Sequence, residues 1–285
     1  MKNLCRIKNN RLYSRFKKSN KRFLIVVIIF LGGLNFVSAK NIETDTLPQP
    51  NNLFGLQHGI NKIYNAGGIG GLKIKMRKSN SQLTVIKVLH IGDSHIKAGY
   101  LSETFINKMN GWYGETLQKN IFFNAQSFCK TGTKYADYAE LAELDQQLIS
   151  DKPDLVIISL GTNDAFSGSS KIKFYDKVHH LVNKIKTLSP ASILLLTTPA
   201  DALKKNNRTG VYEALPELQY VVSVIISYAN DHHIAYWNVH QLMGGNYSIN
   251  NWVSKKLAAP DRVHFTQEGY TIIGTLLFEA LKNSL

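Results

Sequence analysis

The sequence predicts an α/β fold, a three-layer α/β/α sandwich around a central parallel sheet of about five strands. Three observations predict it. Short runs such as Thr84 to Ile91 and Asp154 to Leu160 are apolar almost throughout rather than alternating, as strands covered on both faces are. Longer segments with one apolar face take turns with these runs from residue 84 to the C-terminus. Glycine, serine and asparagine gather just after several of the runs, where open α/β sheets bind ligands.

In chain order, a strand at Thr84 to Ile91 is followed by a helix near Gly99 to Met109 and a strand near Ile121 to Phe128. A helix is expected over Asp137 to Ile149, then the strand Asp154 to Leu160, a Gly/Ser loop and a helix from Ile172 to Leu188. Ser192 to Thr198 reads as another buried strand, Leu215 to His232 as a helix and Ile234 to Trp237 as a short strand. Thr266 to Asn283 is the terminal helix, with Thr266 placed to cap it.

The first forty residues differ in kind. Nine Lys and Arg precede Lys40 with no acid among them, and Phe23 to Leu34 is apolar or glycine throughout. This pattern predicts an export signal over residues 1–39, with Val37-Ser38-Ala39 as the cleavage site. An uncleaved anchor is the alternative, although the apolar stretch falls short of the roughly twenty residues that span a bilayer. Export implies a periplasmic or extracellular enzyme with no stable membrane insertion once the signal is removed. Residues 40–83 read as a polar lead-in, with a short helix over Leu53 to Tyr64, and residues 84–285 as the catalytic domain.

Removing the signal takes nine of the +14 formal charges, and the rest are scattered, so nucleic acid is not an expected partner. A mildly basic surface suits anionic cell-envelope polymers. Cys5 lies in the signal and Cys129 is the one other cysteine, which excludes an internal disulfide and a thiolate metal cluster in the mature chain.

Four segments carry chemistry. Gly92-Asp93-Ser94-His95 follows an apolar strand and presents a serine at its end, although Gly-Asp-Ser also occurs in ordinary turns. Gly161-Thr162-Asn163-Asp164 follows a second such strand; the Asn163 amide either donates to an oxygen that becomes negative during acyl transfer or caps a loop. Asp261-Arg262-Val263-His264 places an acid three residues before a histidine, a spacing that lets the carboxylate hold one ring nitrogen while the other faces a serine. Thr131-Gly132-Thr133 allows backbone N–H to approach a ligand, or is simply a turn. His90, His179, His180, His232, His233 and His240 are read as core or surface histidines, and Trp112, Tyr113, Trp237 and Trp252 fit core packing better than sugar stacking.

With these blocks in order, the chain resembles the SGNH hydrolases, also called GDSL-type esterases and lipases, from Val85 to the C-terminus. The resemblance implies the SGNH, flavodoxin-like sandwich, with Ser94 as nucleophile, His264 as base and Asp261 as its partner. It also implies an oxyanion hole of Ser94 N–H, Gly132 N–H and the Asn163 side chain. His95 stands where leucine is common, as in a secreted subgroup that begins its first block as His90 to His95 do and leans toward carbohydrate and cell-wall O-acetyl esters. Cys129-Lys130-Thr131-Gly132 replaces a Gly-x-Asn-Gly pattern, so one glycine of that pair is missing.

The activity so implied is a metal-free and cofactor-free serine esterase acting by an acyl-enzyme on an O-acylated carbohydrate or cell-wall substrate. A lipid esterase, lysophospholipase or thioesterase is the runner-up, disfavoured by the polar loops Ser167 to Lys171 and Lys204 to Gly210. A glycan-binding protein that kept the fold without the chemistry is a third reading. The sequence is silent on oligomeric state.

Overall fold

The computed structural model describes residues 59–77, 83–117, 119–168 and 170–285. The export signal and most of the lead-in, including the first half of the helix expected over Leu53 to Tyr64, lie outside them.

The chain opens with β1 (Ile63–Tyr64) and α1 (Gly70–Arg77), then β2 (Thr84–Gly92), α2 (Ser94–Lys97), α3 (Tyr100–Asn110) and β3 (Ile121–Cys129). Next come α4 (Tyr135–Ala139), α5 (Ala142–Asp151), β4 (Leu155–Ser159), α6 (Thr162–Phe166), α7 (Lys171–Leu188) and β5 (Ile193–Thr197). The small strands β6 (Leu203–Lys205) and β7 (Tyr212–Ala214) precede α8 (Pro216–Asp231), β8 (Ala235–Trp237), α9 (Val239–Leu242), α10 (Ser248–Ser254) and α11 (Gln267–Ser284).

The main sheet runs β1-β8-β5-β4-β2-β3. Five strands are parallel, as expected, and β1 adds an antiparallel edge through Ile63 opposite Trp237. The parallel strands follow the flavodoxin-like order, in which the chain reverses direction across the sheet between its first and third strands, here β2 and β4. A crevice opens at the C-terminal ends of those two neighbours.

Both faces of the sheet are covered because successive residues of a strand point to opposite sides. Leu155 and Ile157 of β4 join the layer built by α3 and α11, while Val156 and Ile158 join the layer built by α7 and α8. All four are buried, which explains the unbroken apolar run.

Two expectations are revised. The helix over Asp137 to Ile149 is broken into α4 and α5, because Leu141 is extended at φ −81°, ψ 113°. The Lys184 ammonium, reaching across from α7, donates to the carbonyls of Tyr138 (3.4 Å) and Leu141 (3.0 Å) at the break. Tyr64, expected in a helix, lies in a strand, and residues 59–77 are bound into the fold. Asn61 donates to Leu276 O and accepts from Trp237 Nε1, and the Asn65 amide reaches Ala229 O and Ile234 O. The polar residues of this segment thus bind the backbone of other elements, which a reading of apolar runs does not detect.

Candidate active site

The serine turn begins where β2 stops pairing. Gly92 closes the strand in register with Ser159 of β4 and Cys129 of β3, and Ser94 starts α2. Asp93, fully buried, caps this short helix: its Oδ1 accepts from His95 N at 3.0 Å. Tyr138 donates its hydroxyl to Gly92 O at 2.6 Å, fixing the turn from the other face of the sheet.

The second segment descends from a loop pinned by its own backbone. Ala259 N donates to His264 O at 2.7 Å, Arg262 N to Ala259 O at 3.0 Å, and Thr266 caps α11 by accepting from Gly269 N. Within this loop Asp261 Oδ1 accepts from the N–H groups of both Val263 and His264 at 3.0 Å. Its Oδ2 lies 2.7 Å from His264 Nδ1, and His264 Nε2 lies 2.9 Å from Ser94 Oγ. A carboxylate on Nδ1 keeps the proton there and leaves Nε2 free to accept from the serine hydroxyl. Partial burial alone would raise the Asp261 pKa, but the hydrogen bonds from the His264 ring and from the two N–H groups outweigh it and hold the carboxyl below its ordinary value.

Asn163 arrives from α6, directly after β4. Its Nδ2 donates to Asp93 Oδ2 at 3.0 Å and to Thr133 O at 3.1 Å, and since both neighbours only accept, the orientation of the amide is fixed. Gly132 stands in the loop after β3 with φ +78°, a left-handed conformation that suits glycine, in open space rather than against a neighbour. Lys130 N reaches Gly92 O at 3.3 Å and draws this loop up to the serine turn. All four predicted segments therefore meet at one rim of the sheet.

A family model described as GDSL-like lipase/acylhydrolase matches residues 90–272, which include all four segments whole.

The chain belongs to this family.

As a GDSL-like hydrolase it is a carboxylic ester hydrolase. Solved structures sharing its fold include a peptidoglycan O-acetylesterase, at 15% identity over 78% of this chain and 98% of the other, with a TM-score of 0.68. An acetyl xylan esterase matches at 22% identity over 69% and 100% of the two chains, TM-score 0.53. A two-domain esterase active on acetylated mannans matches at 18% identity over 79% of this chain and 56% of that one, TM-score 0.57. At such identities the likeness is one of fold. No curated protein matches the sequence.

Around the site of this GDSL-like hydrolase lie residues whose part in it the sequence leaves open. Asp93 joins the serine turn to Asn163, a role foreshadowed only by its place just before a helix. The His95 ring packs 5.2 Å from the His264 ring and its Nδ1 hydrogen-bonds the Tyr270 hydroxyl at 3.2 Å. Burial lowers the His95 pKa, so its ring adds no cation beside His264 at neutral pH. His90 is a core histidine as expected, held by Ser102 and Ser159 hydroxyls at 2.8 Å each, with its pKa pushed down to about 3 by burial. Trp237 and Trp252 are fully buried and Tyr113 nearly so, so these three aromatic rings are core. Among the described residues no three His, Cys, Asp or Glu side chains are grouped to hold a metal ion, and no helix is long and apolar enough to cross a membrane.

Asp164, next to Asn163, has no exposed surface; its Oδ2 accepts from Tyr135 N at 3.3 Å. Burial raises its pKa to about 6. A carboxyl raised above its unfolded value favours folding fully below about pH 4, and that contribution is lost as pH rises through about 6. Asp164→Asn is therefore expected to stabilise the protein by about 2 kcal/mol at pH 8 and hardly at pH 4. Thermal denaturation of both proteins at the two pH values measures this; an equal shift at both removes burial of the charge as the cause.

Proposed function

We propose that this hydrolase removes O-acetyl groups from an extracytoplasmic carbohydrate or peptidoglycan through a Ser94–His264–Asp261 acyl-enzyme mechanism. The observation that carries the reading is the unbroken line of hydrogen bonds from Ser94 Oγ through the His264 ring to Asp261, at 2.9 and 2.7 Å. In the first step Ser94 Oγ bonds to the acetyl carbonyl carbon while its proton passes to His264 Nε2. The tetrahedral oxyanion is held by Ser94 N–H, Gly132 N–H and the Asn163 amide, which shares with it an N–H now given to Thr133 O. The carbon–oxygen bond to the sugar then breaks as Nε2 returns the proton to the departing alkoxide. Water, deprotonated by the same nitrogen, releases acetate and restores the serine.

Preference for a small acyl group is supported by the acetylesterases among the structural neighbours. The neighbours named above are a peptidoglycan O-acetylesterase, an acetyl xylan esterase and an esterase active on acetylated mannans, and the basic, apolar N-terminal segment supports export.

The test is hydrolysis of p-nitrophenyl acetate against the octanoate ester by the chain lacking residues 1–39. Serine-dependent turnover at least about tenfold faster on acetate is expected, since each tenfold is about 1.4 kcal/mol of transition-state discrimination. Faster octanoate turnover would replace this reading with a lipid esterase, and the absence of any turnover or serine labelling by a phosphonate would leave a glycan-binding protein.

A further inference from the structure

The hairpin formed by β6 and β7 rests directly on the loop that carries the catalytic histidine. Leu203 N donates to Arg262 O at 3.1 Å, and the Arg262 guanidinium carbon lies 3.9 Å from the centre of the Tyr212 ring. Arg262 sits between Asp261 and His264 and holds a left-handed φ of +56°. That conformation is unusual for a residue with a side chain and turns it back toward the hairpin.

The register of the hairpin sorts its charges. Leu203 pairs with Ala214, Lys204 with Glu213 and Lys205 with Tyr212. Cross-strand partners share a face and neighbours along a strand alternate, so Lys205 lies on the face of Leu203 and Tyr212, turned toward Arg262, while Lys204 and Glu213 lie on the other. Lys205 is exposed, and among the described residues neither Lys205 nor Arg262 has a carboxylate within ion-pair distance. Arg208, exposed at the tip, adds a third cation beside the exposed Lys205 and the half-buried Arg262, in a turn organised by Asn206, whose Oδ1 accepts from Arg208 N at 2.9 Å and Thr209 N at 3.3 Å. The one nearby acid on the hairpin, Glu213, accepts from the Asn206 amide at 3.1 Å.

We propose that Arg262 and Lys205, with Tyr212 as the platform between them, form a carboxylate subsite beside the ester site, so that the substrate is an acidic O-acetylated glycan. This rests on the esterase reading above and names the chemistry of its substrate. The guanidinium already stacked on Tyr212 is pre-ordered and loses little side-chain freedom on meeting an anion. Its place between Asp261 and His264 sets the carboxylate next to the sugar whose acetyl group is cleaved. Two sources supply that chemistry: a uronate-containing polysaccharide, and the lactyl or peptide carboxylates of peptidoglycan.

The experiment measures acetate release by the wild-type chain lacking residues 1–39, by Lys205→Glu and by Lys186→Glu, an exposed lysine in the last turn of α7 that carries the same charge change away from the hairpin. The substrates are O-acetylated polygalacturonate, O-acetylated peptidoglycan, O-acetylated xylan and p-nitrophenyl acetate, at low and at 0.3 M salt. At low salt kcat/KM on one of the acidic polymers is expected to exceed that on xylan by at least about tenfold. The preference narrows in high salt, where screening shortens the reach of the cations. Lys205→Glu is expected to cut the acidic-to-neutral ratio about fivefold or more through KM, and Lys186→Glu to leave the ratio unchanged. Which acidic polymer shows the preference identifies the source. Equal turnover of acidic and neutral glycans, or a ratio untouched by Lys205→Glu, overturns the subsite while p-nitrophenyl acetate hydrolysis keeps the esterase reading. Loss of all turnover in the wild type overturns both.

Discussion

Replacing Ser94 by alanine is expected to lower kcat on any acetyl ester by about four orders of magnitude or more while leaving the melting temperature nearly unchanged. The hydroxyl makes one side-chain hydrogen bond, to His264 Nε2, and Ser94 is only partly buried, so its removal costs the fold little. What it removes is the atom that the proposed mechanism bonds to the acyl carbon. The same geometry predicts that Ser94→Ala combined with His264→Ala is hardly slower than either alone, because the two groups act as a unit and lose their contribution together. Stopped-flow kinetics with p-nitrophenyl acetate, alongside thermal melts, measures both. An additive double variant, or a Ser94→Ala enzyme retaining more than about one per cent of the rate, would place the nucleophile elsewhere.

The second large effect is expected at Gly92. A Cβ added there would stand 2.1 Å from Ile96 Cγ1 and 2.6 Å from Ile96 Cβ, with Ser159 O at 3.2 Å. Ile96 is buried on α2 and its branched side chain has few ways to turn aside. The helix itself must shift, and Ser94 is its first residue. Gly92→Ala should therefore cost about 1–3 kcal/mol of stability and at least a hundredfold in kcat, since a displacement of about 1 Å is enough for such a loss. Denaturant unfolding and kinetics on the same preparation separate the two. Full activity in a destabilised variant would show that α2 moves without carrying the serine away from His264.

These two residues also show why the site was largely legible before the fold was known. Gly92 and Ser94 end a strand whose apolar run is unmistakable, and His264 and Asp261 are three residues apart on one loop. Each block carries its own local geometry, and the parallel strands deliver the blocks to one rim because every crossover returns the chain to the same end of the sheet. The glycine segment carries a weaker local pattern, since Gly132 lacks the glycine usual three positions earlier; the structure places it beside the serine turn through Lys130 and Gly92.

Other features had no local signature. The pairing of Asn163 with Asp93 joins residues 70 positions apart, and the break between α4 and α5 is bridged by Lys184 from another helix. Tyr212 over Arg262 is of the same kind: a tyrosine in a polar segment says nothing of which cation it will meet. The β6–β7 hairpin itself was read as part of a polar loop. Three-residue strands with one buried side chain leave too short a pattern to recognise.

By itself the sequence determined the sandwich and the order of its main elements, and it singled out the serine, histidine, aspartate and asparagine as candidates. Strand burial and turn chemistry are written in neighbouring residues. Only the tertiary structure decided the distances that make those groups a hydrogen-bonded line, the clamp of Asp93 on Asn163 and the seating of a basic hairpin against the catalytic loop. Such contacts join segments far apart in the chain, so their geometry follows from how whole layers pack and from no pattern within any one segment.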